Sequence, residues 1–556
     1  MDNVTLSELI FPDISQTVED YYKMYPDRSL PEGSCVTRFA PSPTGFVHIG
    51  NFLPALIDYI MAKSMNGIFV LRFEDTDKKR EVESAASLIM ETLRYFGIMP
   101  DEYELDEKTV GDYGPYTQSK RKDIYHAFHK KLVALGRAYP CFCKQNDMEQ
   151  LRAKQEEKKL RTGYYGEFAA CRDISNEKRA ELIRSGAPFA LRFRSEGDHE
   201  KRFTFFDAVK GELDFPENDQ DLIIMKTENH LPTYHFAHVV DDTLMRITHA
   251  VRGEEWLSST PMHIEMFEAF GLKPPIYVHN PLILKRDQDD PNSVRKISKR
   301  KDPEALMDYY IQKGYPPETV VDAMMMIINS NYEDWRPANK DEPYTAFEFS
   351  LSKMSASGAF FDLAKLNHVS REIISRKTKE SVFEESYEWA KNHDADLTAL
   401  IERDPEYYKE ILDVERNQQN PRKDIAMYSG IIDYLWYMYD DLFESRKTDY
   451  LWPKDMANDV ASEICSTYLD SYYTVENRDI WFSRIKEMCV QLGYASEMKE
   501  YKKNPDSYKG SLNDVVGVLR MAVTTSSMTF DLYSIMRLLG YERLKHRMEL
   551  AQTTSQ

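Results

Sequence analysis

Apolar and polar residues alternate in blocks along the chain, and the first clear blocks lie near residue 40. An apolar run, SCVTRFAP (34–41), ends at a proline and overlaps a turn-rich segment, RFAPSPTGFVHIGN (38–51). The next block, NFLPALIDYIMAKSM (51–65), has apolar residues at helical spacing, with Pro54 in the early part of a helix, where proline is tolerated. The pattern predicts a buried strand, a turn and a helix.

A second apolar run, GIFVLRFEDTD (67–77), predicts another strand, and it ends abruptly in acidic residues. Acidic residues just past a strand can bind a ligand's ammonium or hydroxyl groups, or they can cap the next helix. We expect both roles, divided among different residues. Thr76 or Asp77 is the predicted N-cap of a helix in KKREVESAASLIMETLRYFG (78–97).

Two later segments carry further strand-like apolar runs, namely LPTYHFAHVVDDTLMRITHAVRGEEW (231–256) and PIYVHNPLIL (275–284). Helix-like segments separate the strand-like runs. Alternating strands and helices predict a doubly wound α/β sheet. In such a sheet, ligands bind beyond the carboxyl ends of the strands, so the turn after residue 38 is a candidate binding loop.

The C-terminal third has a different pattern, with apolar residues at helical spacing. Examples are DIAMYSGIIDYLWYMYDDLF (424–443) and VVGVLRMAVTTSSM (515–528). Both are predicted to be helical. Aromatic residues such as Trp436, Tyr437 and Tyr439 could stack on unpaired bases, but at helical spacing most aromatics belong to a core.

Length and composition restrict the class of protein. A chain of 556 residues is long enough for three or four domains, with 42% hydrophobic and 29% charged residues. No apolar run approaches the roughly eighteen residues that span a bilayer. The acidic, polar N-terminus does not resemble a secretory signal, and six cysteines give no disulfide framework. We therefore expect a soluble, cytoplasmic protein.

The net charge of −20 argues against a protein that coats nucleic acid indiscriminately. It is compatible with a selective RNA partner, because a local basic face can bind phosphates on an acidic protein. SKRKDIYHAFHKK (119–131) and VRKISKRKD (294–302) are two basic concentrations of this kind. The alternative is that both are simply solvated faces of helices or loops.

The turn at 38–51 has chemistry suited to an anion. Gly45 and Gly50 have no Cβ, so a ligand or a neighbouring backbone can approach closely. His48 is predicted to lie beside the helix start, where free N–H groups and the helix dipole favour a phosphate. The alternative is a structural turn that contains a hydrogen-bonded histidine.

These segments resemble a known family. HIGN (48–51) and KISKR (296–300) are similar to the two nucleotide-binding motifs of class I aminoacyl-tRNA synthetases. RFAPSPTG, LRFEDTD, PTYHFAHVVDD, VRGEEW and the C-terminal LRMAVTTSSMTFDLYSIMRLLGYERLKHRM resemble the bacterial-type glutamyl-tRNA synthetase family. The resemblance runs from about Cys35 to about Leu550 and weakens between roughly 375 and 510. Asn51 replaces the final histidine of the general class I signature, which glutamyl enzymes commonly tolerate.

The glutaminyl-tRNA synthetase family, with the same fold and nucleotide motifs, is the alternative within the class. Its members carry Pro-Glu-Pro-Asn-Gly where this chain has PSPTG (41–45), and Asp-Asp-Thr-Asn where it has EDTD (74–77). Their C-terminal part is built of β-barrels, whereas this one is predicted to be helical. The resemblance therefore favours glutamate.

The resemblance implies an α/β Rossmann-like catalytic domain with an α+β acceptor-binding insertion, followed by an all-α C-terminal anticodon-binding region. The expected parts are a 1–34 N-terminal extension without assigned function, a catalytic domain (35–112 and 221–290), an insertion that holds the tRNA acceptor end (113–220), a stem-contact region with the second lysine motif (291–365) and a helical anticodon-binding region (366–556).

The resemblance also implies the chemistry. Glutamate attacks the α-phosphorus of ATP, which gives glutamyl-adenylate and pyrophosphate, and the terminal ribose hydroxyl of tRNA then takes the acyl group. No covalent nucleophile is needed, so catalysis depends on positioning and on cationic donors. The expected catalytic residues are His48, Gly50, Lys296 and Lys299, and Ser298 joins them in binding ATP. Mg²⁺ is expected to accompany ATP.

By the same resemblance, five residues form the glutamate pocket. Arg38 and Arg252 are expected to bind carboxylates, because a planar guanidinium offers two parallel donors. Ser42, Glu74 and Tyr234 are expected to complete the pocket, with Glu74 facing the ammonium. The alternative is structural, with Arg38 paired to a neighbouring acid and Tyr234 only packing.

Cys141, Cys143 and Cys171 form a possible zinc site, since some relatives bind zinc in this insertion. The fourth ligand is the difficulty. Tyr165 and Asp173 are the candidates near the last cysteine. The alternative is three reduced cysteines that help to pack a small subdomain.

The expected activity is ATP-dependent ligation of glutamate to tRNA(Glu), with tRNA(Gln) as a possible second acceptor, by a monomer without membrane association. Two other hypotheses stay open. One is a non-catalytic tRNA-binding paralogue, which has no need of the full set of site residues. The other is a tRNA-modifying enzyme, although such relatives lack an anticodon-binding part.

Overall fold

The computed structural model describes residues 1–77, 82, 84–287, 290 and 292–553. These residues form two compact units. The first comprises 1–310 and 320–362, and the second comprises 311–319 and 363–556.

The strands lie in the first unit. They are β1 (Val36–Phe39), β2 (Ile68–Leu71), β3 (Tyr103–Leu105), β4 (Lys108–Val110), β5 (Ala138–Cys141), β6 (Ala190–Phe193), β7 (Arg202–Asp207), β8 (Gly211–Pro216), β9 (Ile223–Met225), β10 (His249–Gly253), β11 (Ile276–Asn280), β12 (Ile283–Arg286), β13 (Val294–Lys296) and β14 (Ala359–Phe360).

The α-helices occur in both units. They are α1 (Asn3–Ile10), α2 (Val18–Met24), α3 (Ile49–Ser64), α4 (Ala85–Tyr95), α5 (Lys122–Ala134), α6 (Gln145–Glu157), α7 (Asn176–Arg184), α8 (Tyr234–Leu244), α9 (Thr260–Ala269), α10 (Met307–Lys313), α11 (Pro317–Ile328), α12 (Ser330–Ala338), α13 (Leu363–Arg376), α14 (Lys379–His393), α15 (Ala395–Arg403), α16 (Pro405–Asp413), α17 (Ile431–Leu435), α18 (Asp440–Arg446), α19 (Asn458–Thr467), α20 (Arg478–Leu492), α21 (Met498–Lys503), α22 (Leu512–Thr524) and α23 (Leu532–Thr553), which is interrupted at Gly540.

A parallel sheet is the centre of the first unit. Strand β1 pairs in parallel with β2, and β10 pairs in parallel with β11. The two pairs are joined because the Thr248 N–H donates to the Val36 carbonyl at 2.9 Å. The carboxyl ends of β1, β2 and β10 therefore meet at one edge, which is where an open α/β sheet binds its ligands.

The predicted strand, turn and helix near residue 40 are confirmed as β1, the loop that follows it, and α3. Helix α3 crosses from β1 to the parallel β2, which is the connection that a doubly wound sheet requires. The α/β class predicted for this part of the chain is therefore confirmed, together with the strands β10, β11 and β12 of the later runs.

One predicted strand is wrong, because the apolar run PTYHFAHVVDD contains helix α8. Its residues from Phe236 to Asp242 are all buried, and the polar ones among them, His238, Asp241 and Asp242, are buried with the apolar ones, so burial does not follow a helical period. A short apolar run of this kind cannot be assigned to strand or helix by periodicity alone.

The predicted N-cap at Thr76 or Asp77 is also wrong. Helix α4 begins at Ala85, with Ser84 as its N-cap, and residues 78–81 and 83 of the predicted helix lie outside the described ranges. Asp75 has a different task, since its carboxylate accepts hydrogen bonds from the Ser119 N–H and hydroxyl.

The insertion is α+β. Strands β5, β6 and β9 form an antiparallel sheet, and β7 and β8 form a hairpin whose Asp207 also pairs with Tyr277 of β11. Helices α1 and α2 of the N-terminal extension belong to the same unit. Their apolar residues, such as Leu6 and Val18, share a core with Phe128 of α5.

The described residues of the second unit form helices joined by loops, without a strand, as predicted, and the core is formed by apolar side chains from α13 to α23. Tyr437 and Tyr439 are buried in this core and Trp436 packs against it, in agreement with the core reading of these aromatics. Within the described ranges, the helices fall short of the length and apolar character that a membrane crossing demands.

Candidate active site

A cleft of about 550 Å³ opens at the carboxyl ends of β1, β2 and β10. It brings together residues that are far apart in the sequence. The predicted site residues that line it are Arg38, Ser42, Gly50, Glu74, Tyr234 and Arg252.

Arg38 lies in β1 and is almost fully buried. Its Nε donates to the Asp242 carboxylate at 3.1 Å, and its Nη1 donates to the Val251 carbonyl at 3.0 Å. Burial alone would raise the pKa of Asp242, but the charges of Arg38 and Arg72 outweigh it and hold that pKa well below its usual value. Arg38 is therefore paired with a neighbouring acid, as the structural alternative expects, and it also lines the cleft, as the binding role requires.

Glu74 follows β2 and places a carboxylate in the cleft. Its Oε1 lies 3.3 Å from Nη2 of the buried Arg72. Burial raises the pKa of Glu74 to about 7, although the charges of Arg72 and Arg38 offset part of the rise. A cationic ligand beside this carboxylate would favour its ionised form.

Tyr234 and Arg252 come from a later part of the sequence than Arg38 and Glu74 and line the same cleft. Tyr234 begins α8, and its ring centroid is 4.3 Å from that of Trp256. Arg252 is in β10, where its guanidinium donates to side chains of His263, His279 and Thr260 at 2.8–3.0 Å. The guanidinium is thus rigidly held at the cleft wall.

His48 is the N-cap of α3. Its Nδ1 accepts the Gly50 N–H at 2.9 Å, so a neutral ring carries its proton on Nε2. Burial, followed by the charges of Lys299 and Lys296, lowers the pKa of His48 to about 4. At neutral pH this histidine is therefore an uncharged hydrogen-bond donor at the start of a helix.

The second lysine motif lies beside the first motif. Lys299 Nζ donates to the Phe46 carbonyl at 3.3 Å, and Met307, just after the motif, donates to the Val47 carbonyl at 2.9 Å. Lys296 Nζ is 3.6 Å from the carboxylate of Glu255, a residue that lines the cleft. The two distant segments therefore converge.

Not all predicted nucleotide residues line the cleft itself. His48, Lys296, Ser298 and Lys299 are not among the residues that line it. The Ser298 N–H donates to Asp302 at 2.9 Å, and that carboxylate also binds Arg295, so Ser298 takes part in the turn that presents the motif.

Several cleft residues were not identified from the sequence. Lys226 follows β9 directly, and its Nζ donates to the Thr76 carbonyl at 2.8 Å. Its position as a polar residue directly after an apolar strand was the sequence signal that could have identified Lys226 as a cleft residue. Gln118 and Trp256 also belong to this group, whereas Thr76 and Asp77, which line the cleft too, lie in the acidic segment past β2 that the sequence marked as a possible ligand site.

The three cysteines of the insertion come together. The sulfurs of Cys141, Cys143 and Cys171 lie within 4.8 Å of one another. The hydroxyl of Tyr164, a residue that the sequence did not identify, lies 3.3 Å from the Cys143 sulfur and 3.6 Å from the Cys141 sulfur.

The two fourth-ligand candidates predicted from the sequence do not join this group. The Tyr165 hydroxyl donates to the Arg161 carbonyl, and Asp173 is 83% exposed and pairs with Arg194. Tyr164 precedes Cys171 by seven residues, and only the fold of the intervening loop brings its hydroxyl back to the sulfurs.

Comparisons with known proteins identify relatives over nearly the whole chain. A family model described as "tRNA synthetases class I (E and Q), catalytic domain" matches residues 34–368. A glutamate–tRNA ligase of Clostridium perfringens is 45% identical over 98% of this chain and 100% of its own length. One of Acetivibrio thermocellus is 42% identical over 99% and 100%.

A solved structure is similar over nearly the whole chain. It is the crystal structure of a glutamate tRNA ligase from Elizabethkingia meningosepticum in complex with its amino acid, with a TM-score of 0.73, 25% identity and coverage of 94% of this chain and 100% of that one. The chain therefore belongs to the glutamate–tRNA ligase family of class I tRNA synthetases.

Proposed function

We propose that this protein ligates glutamate to tRNA(Glu) at the expense of ATP, through a glutamyl-adenylate intermediate. The observation that carries the proposal is the meeting of Arg38, Glu74 and Arg252 in one cleft, beside His48 and the lysine motif. Two guanidinium groups and one carboxylate match the two carboxylates and one ammonium of glutamate.

In the glutamate site, Arg38 and Arg252 bind the carboxylates and Glu74 binds the ammonium. Tyr234 and Ser42 complete the walls of the pocket. Arginine suits this task because its planar fork donates two parallel hydrogen bonds to one carboxylate. The buried side of the pocket strengthens these contacts, since the local dielectric is low.

In the first chemical step, a carboxylate oxygen of glutamate attacks the α-phosphorus of ATP. The bond from that phosphorus to the bridging oxygen of pyrophosphate breaks, and pyrophosphate leaves with the electron pair. His48 donates its Nε2 proton in a hydrogen bond to a phosphate oxygen, and Gly50 lets the nucleotide lie against the backbone. Lys296 and Lys299 stabilise the charge that develops on pyrophosphate.

Mg²⁺ is proposed to arrive with ATP, held by phosphate oxygens and water, and it supplies further positive charge at the phosphates. The nearest carboxylate of the motif, Asp302, is already bound by Arg295 and Lys285. This chain's own contribution is therefore the set of donors around the phosphates.

In the second step, the terminal ribose hydroxyl of tRNA attacks the acyl carbon and releases AMP. We propose that the insertion holds the acceptor end and that the helical second unit binds the anticodon. The alternative acceptor, tRNA(Gln), is chosen or rejected in regions where the resemblance is weakest.

The cysteine group fits zinc. In a tetrahedral site, Zn–S bonds of about 2.3 Å place sulfurs roughly 3.8 Å apart. The sulfurs of Cys143 and Cys171 are 3.6 Å apart, and all three sulfurs lie within 4.8 Å of one another. Tyr164 offers an oxygen as the fourth donor. We propose a structural zinc that is held by these four side chains.

Metal analysis of the purified protein tests the zinc proposal. We expect about one zinc per chain, and loss of zinc in Cys143→Ser. We expect Tyr164→Phe to reduce the zinc content as well. Tyr165→Phe is its matched control and should keep the zinc, because the Tyr164 hydroxyl lies at the sulfurs and the Tyr165 hydroxyl does not. Absence of zinc from the wild type would leave three reduced cysteines in a packing role.

Pyrophosphate exchange with glutamate, with and without tRNA, tests the main function. We expect exchange that requires glutamate, followed by charging when purified tRNA(Glu) is supplied. Charging of tRNA(Gln) in parallel measures the breadth of acceptor use. A wild-type protein that gives no exchange under either condition would be a non-catalytic tRNA-binding paralogue.

A further inference from the structure

Arg252 is held in the cleft by neutral side chains. Its Nε donates to His279 Nε2 at 2.8 Å, its Nη1 lies 3.0 Å from His263 Nδ1, and its Nη2 donates to the Thr260 hydroxyl at 2.8 Å. No carboxylate of the described residues contacts this guanidinium. Such an arrangement is unusual for an arginine that is only 4% exposed.

The contacts determine where each imidazole proton lies. Arginine only donates, so His263 Nδ1 and His279 Nε2 must accept. His263 then carries its proton on Nε2, which lies 3.0 Å from His235 Nδ1. His279 carries its proton on Nδ1, which lies 2.6 Å from Asp207 Oδ2. One set of neutral tautomers satisfies the whole chain of contacts.

Asp207 anchors one end of this chain. Its Oδ1 accepts the backbone N–H groups of Val209 and Lys210 at 3.0 and 2.8 Å, so the carboxylate has a fixed orientation. The His279 ring lies between this carboxylate and Arg252. Asp207 thus sets the tautomer of His279 without pairing directly with the guanidinium.

The other arginine of the cleft has a different environment. Arg38 contacts the Asp242 carboxylate directly and shares it with Arg72. Arg252 lacks such a partner among the described residues. A carboxylate partner would compete with the substrate for the same N–H groups, whereas neutral acceptors leave the charge of Arg252 available.

We propose that His263 and the His279–Asp207 pair are positioning residues for Arg252, which orient its guanidinium and leave its charge free for a carboxylate of glutamate. The inference rests on the proposed function of the cleft. Neutral imidazoles are what the site provides, because burial lowers the pKa of His263 well below its ordinary value and also lowers that of His279.

The first test compares two variants of His263 by pyrophosphate exchange. His263→Asn places a carbonyl oxygen near the position of Nδ1, while His263→Leu fills the space without an acceptor. We expect the leucine variant to raise KM for glutamate about tenfold, because an orienting hydrogen bond to a charged group is lost. KM for ATP and kcat should change little, and the asparagine variant should restore KM to within about threefold of wild type.

His129→Leu is the matched control. This histidine is equally buried in the same unit, but it stacks on Phe236 and contacts the Ile224 carbonyl instead of Arg252. We expect it to affect the unfolding temperature and to leave KM for glutamate unchanged. If His263 has only a structural role, His263→Leu will leave KM for glutamate unchanged, as in His129→Leu, or both His263 variants will raise it equally. Either result would overturn the inference.

Asp207→Asn gives an independent test if the His263 variants fail to fold. Asp207 Oδ1 accepts two backbone N–H groups at 3.0 and 2.8 Å, whereas Oδ2 accepts one backbone N–H, from His279 at 3.2 Å, and the His279 ring, whose proton can move between its nitrogens. We therefore expect the amide oxygen to take the place of Oδ1, so that the NH₂ group faces His279 Nδ1 and forces the proton onto Nε2, against Arg252. We expect KM for glutamate to rise about tenfold.

A simple charge effect has the opposite sign. Removal of the Asp207 charge would make the field at Arg252 more positive and would lower KM for glutamate. A lowered or unchanged KM in Asp207→Asn would therefore overturn the inference. Failure of the proposed function is separate, because it would appear as absence of glutamate-dependent exchange in the wild type.

Discussion

At the scale of single residues, the cleft depends on charges whose values the protein interior adjusts. Glu74 is the clearest case, since burial brings its pKa to about 7 despite two neighbouring arginines. In the free protein this carboxyl is therefore partly protonated at neutral pH. Glutamate binding must draw it into the ionised form, because only a carboxylate pairs with an ammonium.

KM for glutamate should accordingly depend on pH. As pH falls from 7 to 6, the ionised fraction of a group with a pKa of about 7 decreases roughly fivefold, and we expect KM to rise by about that factor. Glu74→Gln should have a high KM that is flat over this range. Initial rates of pyrophosphate exchange at saturating ATP give the measurement, and a flat wild-type profile would contradict it.

The buried carboxyl of Asp58, in α3, should make the free energy of unfolding depend on pH. Its carboxyl is fully buried and makes no hydrogen bond of ordinary geometry to a described residue, and burial raises its pKa well above 3.8. The folded state therefore holds a proton that the unfolded state releases. The free energy of unfolding should fall as pH rises from 3.8 toward the folded pKa.

Asp58→Asn removes this contribution. We expect the variant to gain stability relative to wild type as pH rises from 5 to 9, as measured by urea denaturation at each pH. Equal pH slopes in the two proteins would show that the Asp58 carboxyl does not hold its proton.

At the scale of elements, the start of α3 combines a structural and a chemical task in one histidine. His48 caps the helix through Nδ1, which leaves Nε2–H as a donor. Gly50 permits this contact, since a Cβ at that position would lie 3.1 Å from His48 Nδ1.

His48→Asn separates the two tasks. Asparagine is a preferred N-cap residue and can replace Nδ1, but it has no group at the position of Nε2. We expect an unchanged unfolding temperature and a decrease of about a hundredfold in kcat for pyrophosphate exchange, the usual effect of losing a donor to a developing oxyanion. Full activity in this variant would mean that His48 is only a cap.

At the scale of the whole molecule, the N-terminal extension is part of the first unit rather than an appendage. Arg28 forms two hydrogen bonds of 2.7 and 2.8 Å with Glu102, donates to the Met245 carbonyl and lies 3.7 Å over the Tyr113 ring. Both members of the ion pair are about nine-tenths buried or more. The extension thus ties the edge of the sheet to the insertion.

Arg28→Ala should lower the free energy of unfolding of this unit by about 3 kcal/mol, because it leaves the Glu102 carboxylate buried without a cation and with the Tyr116 hydroxyl as its side-chain donor. Lys63→Ala is the control. The Lys63–Asp101 pair has a similar 2.7 Å contact, but both side chains are more than one-third exposed, so we expect a loss below about 1 kcal/mol. Urea denaturation of both variants measures the difference, and equal losses would contradict it.

Local patterns were sufficient for part of this architecture. The strand, turn and helix at 36–64 follow from sequence because each depends on neighbouring residues, and so does the helical character of the second unit. The HIGN and KISKR motifs and the candidate residues of the glutamate site were likewise recognisable. Helix α8 was mistaken for a strand because its run is short and mixes apolar residues with polar ones that are themselves buried in the fold.

The chain by itself therefore determined its local elements, its two nucleotide motifs and its family. Only the tertiary structure decided which polar groups meet, since a hydrogen bond between distant segments leaves no periodic trace in the sequence. The contact of Tyr164 with the cysteines, the place of Lys226 in the cleft and the histidines around Arg252 are all of this kind. Each arises from the close approach of segments that only the packed sheet and its insertion bring together.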